Sequence, residues 1–230
     1  MKIPRSVFYG FLTVACGGQS PFEPNYFPPA VFTNPTLITN THLPLGKLTQ
    51  DVLEGTEGGK ASRVIRTRLA GRTRAFTFGG QQVLAIIVSD TVYTAGQLAE
   101  VALDYFAQSD NGDVYYFGED VDEYLPNGQI GHEGTWHLGI DTDKLGLFIP
   151  VSPKVGDRYR SEDVPGITRE DDEVVAVNET VTVPAGTYQN CVKVKEILSD
   201  GAVEYKFYAP DVGVVREVPE DGLVDLKSHS

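Results

Sequence analysis

Hydrophobic and polar residues alternate along most of the chain with the two-residue period of β-strands. Between positions 203 and 208, Val203, Tyr205 and Phe207 share one face, while Glu204 and Lys206 share the other. Antiparallel strands with one face in a core and the other in water have this period. The pattern therefore predicts an all-β fold in which the apolar face of each strand is directed into the core.

Turn sequences separate the alternating segments. Asp110–Gly112 and Pro126–Gly128 contain Asn-Gly, a pair that tolerates the positive φ angles of tight hairpin turns. Pro184–Gly186 and Asp200–Gly201 supply two further turn signals. The strands are therefore expected to follow one another as antiparallel hairpins.

Residues 97–107 fit the period of either a helix or a strand. We favour a strand, because the Asn-Gly turn that follows would then close a hairpin onto Val114–Phe117. The chain of 230 residues then divides into three parts. Residues 17–46 are rich in proline and form an extended tether that leads into the domain. Residues 47–230 form a single all-β domain, a strongly curved antiparallel sheet or open β-barrel with few or no helices.

Residues 1–16 have the features of an export signal. Lys2 and Arg5 give it a positive start, an uncharged stretch follows, and the small residue Ala15 precedes Cys16. We interpret the segment as a lipoprotein signal with Cys16 as the lipid-attachment residue. An ordinary secretory signal and a buried N-terminal strand are the alternatives. The protein is accordingly expected to be exported, in the cell envelope or outside the cell.

The net charge of −13 limits the choice of partners. An acidic protein repels the phosphate backbone, so nucleic acid is excluded as a partner. After residue 16 no stretch approaches the ~20 apolar residues of a membrane-spanning helix. Membrane attachment is therefore expected only through the lipid anchor.

Several segments resemble uncharacterised bacterial secreted and lipoprotein β-domains, a group without an established activity. They are Thr33–Asn40, Gly131–Trp136, Val155–Arg160, Val183–Val194 and Tyr208–Arg216. The last two are similar to the closing strands of that group. The resemblance implies an all-β fold and an exported location, and it carries no catalytic residue to this chain.

The histidine cluster at 132–137 is the strongest candidate for acid–base or metal chemistry. In a regular strand His132 and His137 point to opposite faces, so both could bind one metal only if Gly134 marks a bulge. His132 and Glu133 are the candidate catalytic residues. The simpler interpretation places Trp136 in the core and leaves His137 exposed.

Acidic pairs could hold a cation. Asp120 and Asp122 have the alternation typical of calcium ligands, but the rest of an EF-hand loop is missing. Together with His132 they are the candidate metal ligands, and calcium or a transition metal is the candidate cofactor. We favour solvated acidic loops, here and at Glu170–Glu173, and expect no cofactor.

Arginines are concentrated in one strand of this acidic chain. Arg66 and Arg68 fall on one face, where they could bind an anionic ligand through their guanidinium groups. Pairing with carboxylates of a neighbouring strand is the interpretation that we favour. Tyr116 belongs to an aromatic-rich region that could line a pocket.

These features favour a binding or structural module over an enzyme. We expect an exported, lipid-anchored β-domain that holds a small or apolar ligand, or a partner protein, in its curved sheet. The candidate ligand-binding residues are His132, Trp136, Tyr116, Arg66 and Arg68. The alternatives are an extracellular, metal-assisted enzyme that uses His132 and Glu133, and a calcium-stabilised surface protein.

Overall fold

The computed structural model describes residues 22–230, which form one antiparallel sheet of 14 strands and contain no helix. This confirms the predicted all-β fold. The strands are β1 (Gln50–Glu57), β2 (Lys60–Phe78), β3 (Gln81–Thr94), β4 (Gln97–Gln108), β5 (Val114–Tyr124), β6 (Ile130–Gly131), β7 (Trp136–His137), β8 (Gly146–Ile149), β9 (Arg158–Val164), β10 (Thr168–Val183), β11 (Gly186–Leu198), β12 (Val203–Ala209), β13 (Gly213–Val218) and β14 (Gly222–His229).

The strand order is β6-β5-β4-β3-β2-β1-β14-β13-β12-β11-β10-β9, and β7 and β8 also pair with β5. Pairing of β1 with β14 joins the two runs of consecutive hairpins. The sheet is strongly curled, so that β8 comes against β9, but it is not closed into a barrel. A Cβ atom added at Gly146 of β8 would lie 1.9 Å from the carbonyl oxygen of Ser161 in β9.

The hairpin from β4 to β5 follows the sequence prediction. The ambiguous residues 97–107 are strand, and Phe106 lies opposite Tyr116 in the register. Gly112 in the connecting turn has φ of 98°, which glycine adopts without strain. The turn at 126–128 also forms, and the Leu125 amide donates to the Gln129 carbonyl across it at 3.0 Å.

One end of the interior is an aromatic core. Tyr116 stacks on Phe106, with ring centroids 4.9 Å apart, and meets the edge of Trp136 at 5.3 Å. Phe148 of β8 packs against Phe106 at 4.9 Å. The Trp136 side chain is fully buried, so this cluster contributes hydrophobic burial on the concave side of the sheet.

In β12 the face directed inward is the opposite of the predicted one. Lys206 is buried with 1% exposure, whereas Tyr205 and Phe207 are half-buried on the outer side. The Lys193 ammonium makes cation–π contacts with both rings and lies 4.1 Å from the Tyr205 centroid. Lys206 points inward because its Nζ donates a hydrogen bond to Glu196 of β11 at 2.5 Å. The inner surface of the sheet therefore carries ionisable groups as well as apolar ones.

The acidic stretch Glu170–Glu173 lies in β10 and not in a solvated loop. Glu170 and Asp172 are each only 2% exposed. Irregularities in the β10–β11 register after Val174 interrupt the strict alternation of this strand. Which residues face inward in β10 therefore changes along its length.

The described part of the proline-rich segment contains neither strand nor helix and packs against the sheet. Ile38, Leu43 and Leu45 are buried in the core, and the Tyr26 hydroxyl donates to Asp113 at 3.1 Å. The leader and Cys16 lie outside the described residues. Within residues 22–230 no helix has the length and apolar character needed to cross a membrane.

Candidate ligand-binding site

A pocket of about 370 Å³ lies where the proline-rich segment passes β8 and β9. Backbone hydrogen bonds hold this segment in place. The amides of Asn25 and Tyr26 both donate to the Arg158 carbonyl, at 3.0 and 3.1 Å, and the Arg158 amide donates to the Asn25 side chain at 2.8 Å. The pocket is therefore bounded on one side by a segment fixed to the first residue of β9.

The walls of the pocket are mostly apolar. Aromatic and aliphatic side chains from four parts of the fold contribute: Tyr26, Phe27, Phe78, Tyr115, Leu145 and Leu147. Phe27 is 77% exposed, whereas Leu147 is buried. Ring faces and aliphatic side chains in a concave surface are typical of sites that bind small apolar molecules.

Restricted backbone angles keep the proline-rich segment extended beside the pocket. Pro24 and Pro28 fix φ near the extended range, so side chains at every second position point to the same side. Pro24, Tyr26, Pro28 and Ala30 are all part-buried and line the pocket. The residues between them are exposed, and of these Phe27 also lines the pocket. This alternation continues the strand-like period into a segment that forms no strand.

One end of the pocket is charged. Lys144 Nζ donates to Asp163 Oδ2 at 2.8 Å, and Arg160 Nη1 lies 3.5 Å from the same oxygen. Arg160 Nε also donates to Asp171 Oδ1 at 2.6 Å. Of these groups, Lys144, Arg160 and Asp163 line the pocket and together carry a formal charge of +1. The Lys144 side chain is 53% exposed, so its ammonium is accessible from solvent.

The hydroxyls of two pocket tyrosines, Tyr26 and Tyr115, are hydrogen-bonded within the protein. Burial and the carboxylate of Asp113 raise the pKa of Tyr26 to about 12, so its hydroxyl stays a neutral donor. Burial likewise raises the pKa of Tyr115, whose hydroxyl donates to the Pro28 carbonyl at 3.4 Å. These tyrosines therefore offer mainly their ring faces to a ligand.

The predicted ligand-binding residues Trp136 and Tyr116 lie in the aromatic core and do not line this pocket. The Tyr116 hydroxyl donates to Asp104 Oδ1 at 2.5 Å in the interior. Both side chains are fully buried, which gives them a structural role in packing. The pocket itself uses residues that the sequence analysis did not select.

Arg66 and Arg68 both make contacts within the protein. Arg66 is 2% exposed and donates to Asp90, directly opposite on β3, with Nη2–Oδ2 at 3.0 Å. It also reaches Glu217 of β13 at 3.4 Å. Arg68 donates to the Gly46 carbonyl. The favoured prediction of intramolecular pairing is therefore confirmed for Arg66.

His132 and Glu133 lie in a turn outside the pocket. Gly134 has φ of 91°, and the Thr135 amide donates to the His132 carbonyl at 3.2 Å. The His132 side chain is 67% exposed, with Nδ1 3.0 Å from Asp122 Oδ1. Glu133 is also exposed. The two residues therefore lie at the surface and do not line this pocket.

A better organised polar cluster lies on β5 and includes His137, which the sequence analysis expected to be exposed. His137 Nε2 is 2.8 Å from Asp120 Oδ1, and its side chain is only 12% exposed. Asp120 also accepts hydrogen bonds from the Tyr105 hydroxyl and from Arg74 Nη1, the latter at 2.8 Å. These hydrogen bonds and the charge of Arg74 lower the pKa of Asp120 despite its partial burial. No signal in the sequence separates this cluster from other acidic stretches.

The candidate metal ligands His132, Asp120 and Asp122 do not converge. Asp122 pairs with His132, whereas Asp120 pairs with His137. Within residues 22–230 a different group has the donor atoms of three potential ligands within 4.8 Å of one another. It lies in β10 and β11 and consists of Glu170, Asp172 and Glu196.

Comparison with known proteins adds no assigned activity. No protein-family model matches the chain, and no curated protein matches it. Among solved structures, the chain is similar to a crystal structure described as that of a "putative lipoprotein" from Parabacteroides distasonis ATCC 8503. The two chains are 15% identical, the match covers 83% of this chain and 99% of that chain, and the TM-score is 0.38. We transfer no ligand and no residue role from so loose a likeness.

Proposed function

We propose that the protein is an exported, lipid-anchored binding module that holds a small amphiphilic molecule in the pocket beside β8 and β9. The observation that carries the proposal is the combination of aromatic and aliphatic walls with a cationic end in one cavity of about 370 Å³. Export and anchoring rest on the leader sequence that ends at Cys16.

The size and lining of the pocket define the class of ligand. Sites for small molecules are commonly concavities of roughly 300–1,000 Å³ with mostly apolar walls and a few polar groups. A ligand with one to three rings, or a short aliphatic chain, fits such a volume. Its apolar part would contact Phe27 and Leu147, and removal of that surface from water would supply most of the affinity.

The charged end selects the polar part of the ligand. Lys144 and Arg160 are cations in a protein of net charge −13, and each is already hydrogen-bonded to a carboxylate. A carboxylate or sulfonate on the ligand could accept further hydrogen bonds from these groups, which have several donors each. A cationic ligand would meet the Lys144 ammonium and be disfavoured.

The fluorescent probe 8-anilinonaphthalene-1-sulfonate, a naphthalene sulfonate that carries a phenylamino group, tests the proposal. Its fluorescence reports binding. We expect saturable binding at one site by the folded protein. Ala30→Trp should abolish it by filling the pocket, and Lys144→Ala should weaken it about threefold to tenfold through loss of one charge contact. Ile130→Ser is the matched control, because it removes an exposed apolar side chain that does not line the pocket.

The proposal fails if Ala30→Trp and Lys144→Ala bind the probe as the wild type does. It also fails if Ile130→Ser weakens binding as much as they do, since the probe would then be bound at unspecific apolar surface. Circular dichroism and melting temperature establish that each variant is folded before binding is compared.

A further inference from the structure

Three carboxylates converge inside the curled sheet, and none of them lines the pocket. Glu170 and Asp172 of β10 and Glu196 of β11 each place one oxygen so that all three oxygens lie within 4.8 Å of one another. All three residues are 2% exposed. Alternate residues of β10 share a face, and Asp172 lies opposite Glu196 in the register, which explains why these side chains meet.

The backbone and hydroxyl of Ser161 in β9 fix the orientation of two of these groups. The Ser161 amide donates to Asp172 Oδ2 at 3.1 Å, and its Oγ donates to Glu170 Oε1 at 2.7 Å. When one oxygen of a carboxylate is held by a hydrogen bond in this way, the position of its second oxygen is also restricted. The cluster is therefore built from three neighbouring strands and is not a chance grouping of mobile side chains.

A second observation independently indicates a ligand at this place. The Tyr159 hydroxyl is buried and has no hydrogen-bond partner among residues 22–230, although the residue is 1% exposed. Tyr159 lies directly opposite Asp172, and the charges of Asp172, Glu196 and Glu170 act on its hydroxyl. Burial of a hydroxyl without a hydrogen-bond partner costs folding free energy. Coordination of its oxygen to a bound cation offsets that cost.

We propose that Glu170, Asp172 and Glu196, with the Tyr159 hydroxyl, form an interior binding site for a hard divalent cation, calcium in the first place. Oxygen ligands without imidazole or thiolate are the set that calcium prefers. Ligand oxygens on opposite sides of a calcium ion at about 2.4 Å are about 4.8 Å apart, so carboxylate oxygens that lie within 4.8 Å of one another can all contact one ion. The proposal places the ion at a different position from Asp120 and Asp122.

Formal charge supports a divalent ion. Lys206 Nζ pairs with Glu196 at 2.5 Å, so the three carboxylates, when all are ionised, and this ammonium together carry −2. Glu204, opposite Glu196 on β12, adds negative charge at the same end of the interior. Calcium compensates the −2 of the first four groups, and buried charges of one sign are otherwise strongly destabilising.

Calcium binding and thermal stability test the proposal on the full chain. The protein is unfolded, refolded with either EDTA or about 5 mM calcium chloride, dialysed and analysed for bound metal and for Tm. We expect one calcium per chain. At one hundred times Kd, the folding equilibrium shifts about a hundredfold and Tm rises by about 5–10 °C for a domain of this size.

Asp172→Asn and Glu170→Gln should abolish the bound calcium and the rise in Tm. Tyr159→Phe should weaken calcium binding severalfold. The matched control is Glu179→Gln, which removes an exposed carboxylate from the same strand, β10, and should behave as the wild type.

The proposal is overturned if the wild type refolded with calcium has neither bound metal nor a raised Tm. It is equally overturned if Asp172→Asn and Glu170→Gln retain the full calcium response while folded, or if Glu179→Gln loses it, because surface carboxylates would then be responsible. None of these outcomes depends on the pocket beside β8, so this site and the proposed function are tested separately.

Discussion

The Asp104 carboxyl group, inside the sheet on β4, should make the protein less stable as the pH rises. Asp104 is 1% exposed, and only its Oδ1 has a hydrogen-bond partner among residues 22–230, the Tyr116 hydroxyl. Burial, together with the negative charge of Asp90, raises the pKa of Asp104 from 3.8 to about 7. Ionisation of this group therefore opposes folding.

The sign and size of the effect follow from linkage. A folded-state pKa above the unfolded value means that the folded protein binds more protons, so stability falls as pH rises. The favourable contribution is present in full below pH 3.8 and is lost progressively as the pH approaches about 7. The separation of the two pKa values corresponds to about 4 kcal/mol at 1.36 kcal/mol per pH unit. This number is an upper figure, because relaxation of the interior reduces it.

Asp104→Asn removes the ionisation and keeps an oxygen that can accept the Tyr116 hydroxyl. Urea unfolding of wild type and variant at about pH 4 and pH 8 measures the free energy of unfolding in each case. From about pH 4 to pH 8, we expect the free energy of unfolding of the variant to rise by about 2–4 kcal/mol relative to that of the wild type. The amide adds donors that cost about 1–3 kcal/mol if unpaired, but this cost is the same at both pH values.

Asp221→Asn, which removes an exposed carboxylate from a turn, is the control and should show no comparable shift. Parallel stability curves for Asp104→Asn and wild type between pH 4 and 8 would refute the reasoning. Such a result would mean that water or a rearranged interior solvates the ionised carboxylate.

Two further substitutions test the buried ion cluster and the backbone near β7. Arg66→Met should lower the free energy of unfolding by about 3–5 kcal/mol in urea denaturation, because it leaves two buried carboxylates without their cation. Arg63→Met, which removes a half-exposed arginine from the same strand, should cost at most about 1 kcal/mol. Gly118→Ala should cost about 2–3 kcal/mol, because φ is 136° and the new Cβ would lie 2.3 Å from the Trp136 carbonyl oxygen. Gly128→Ala, with φ of 81° and open space around it, should cost only about 1 kcal/mol, and equal losses in the two glycine variants would contradict the proposed clash.

Local patterns in the sequence were sufficient for the strands and their connections. Alternation and Asn-Gly turns predicted the all-β fold and the hairpin from β4 to β5, because both depend on residues close together in the chain. Which face of a strand points inward was harder to predict. In β12 the rule that apolar residues face inward fails, since Lys206 is stabilised inside by Glu196, a residue of another strand. A single sequence contains no signal for such a pairing.

The candidate sites required contacts between distant segments. Tyr26 reaches Asp113 and Asn25 reaches Arg158, so a segment expected to be a tether forms a wall of the pocket. Its alternation of proline and aromatic residues at 24–30 was visible in the sequence, but the surface that it covers was not. For the acidic stretch at 170–173 the sequence predicts a solvated loop, because abundant acidic residues are usually exposed, and the contacts with β9 and β11 that place it inside are between segments distant in the chain.

Tyr159 belongs to both proposed sites and makes their relation testable. Its ring contributes to the pocket wall, while its hydroxyl faces the carboxylates of β10 and β11. A cation that binds this hydroxyl would hold the ring in place, so calcium should strengthen probe binding in the wild type without contacting the probe. Tyr159→Phe keeps the ring and removes the cation ligand. If the two sites share this residue, the variant binds the probe but loses the effect of calcium. If calcium strengthens probe binding equally in both proteins, the effect passes through other residues.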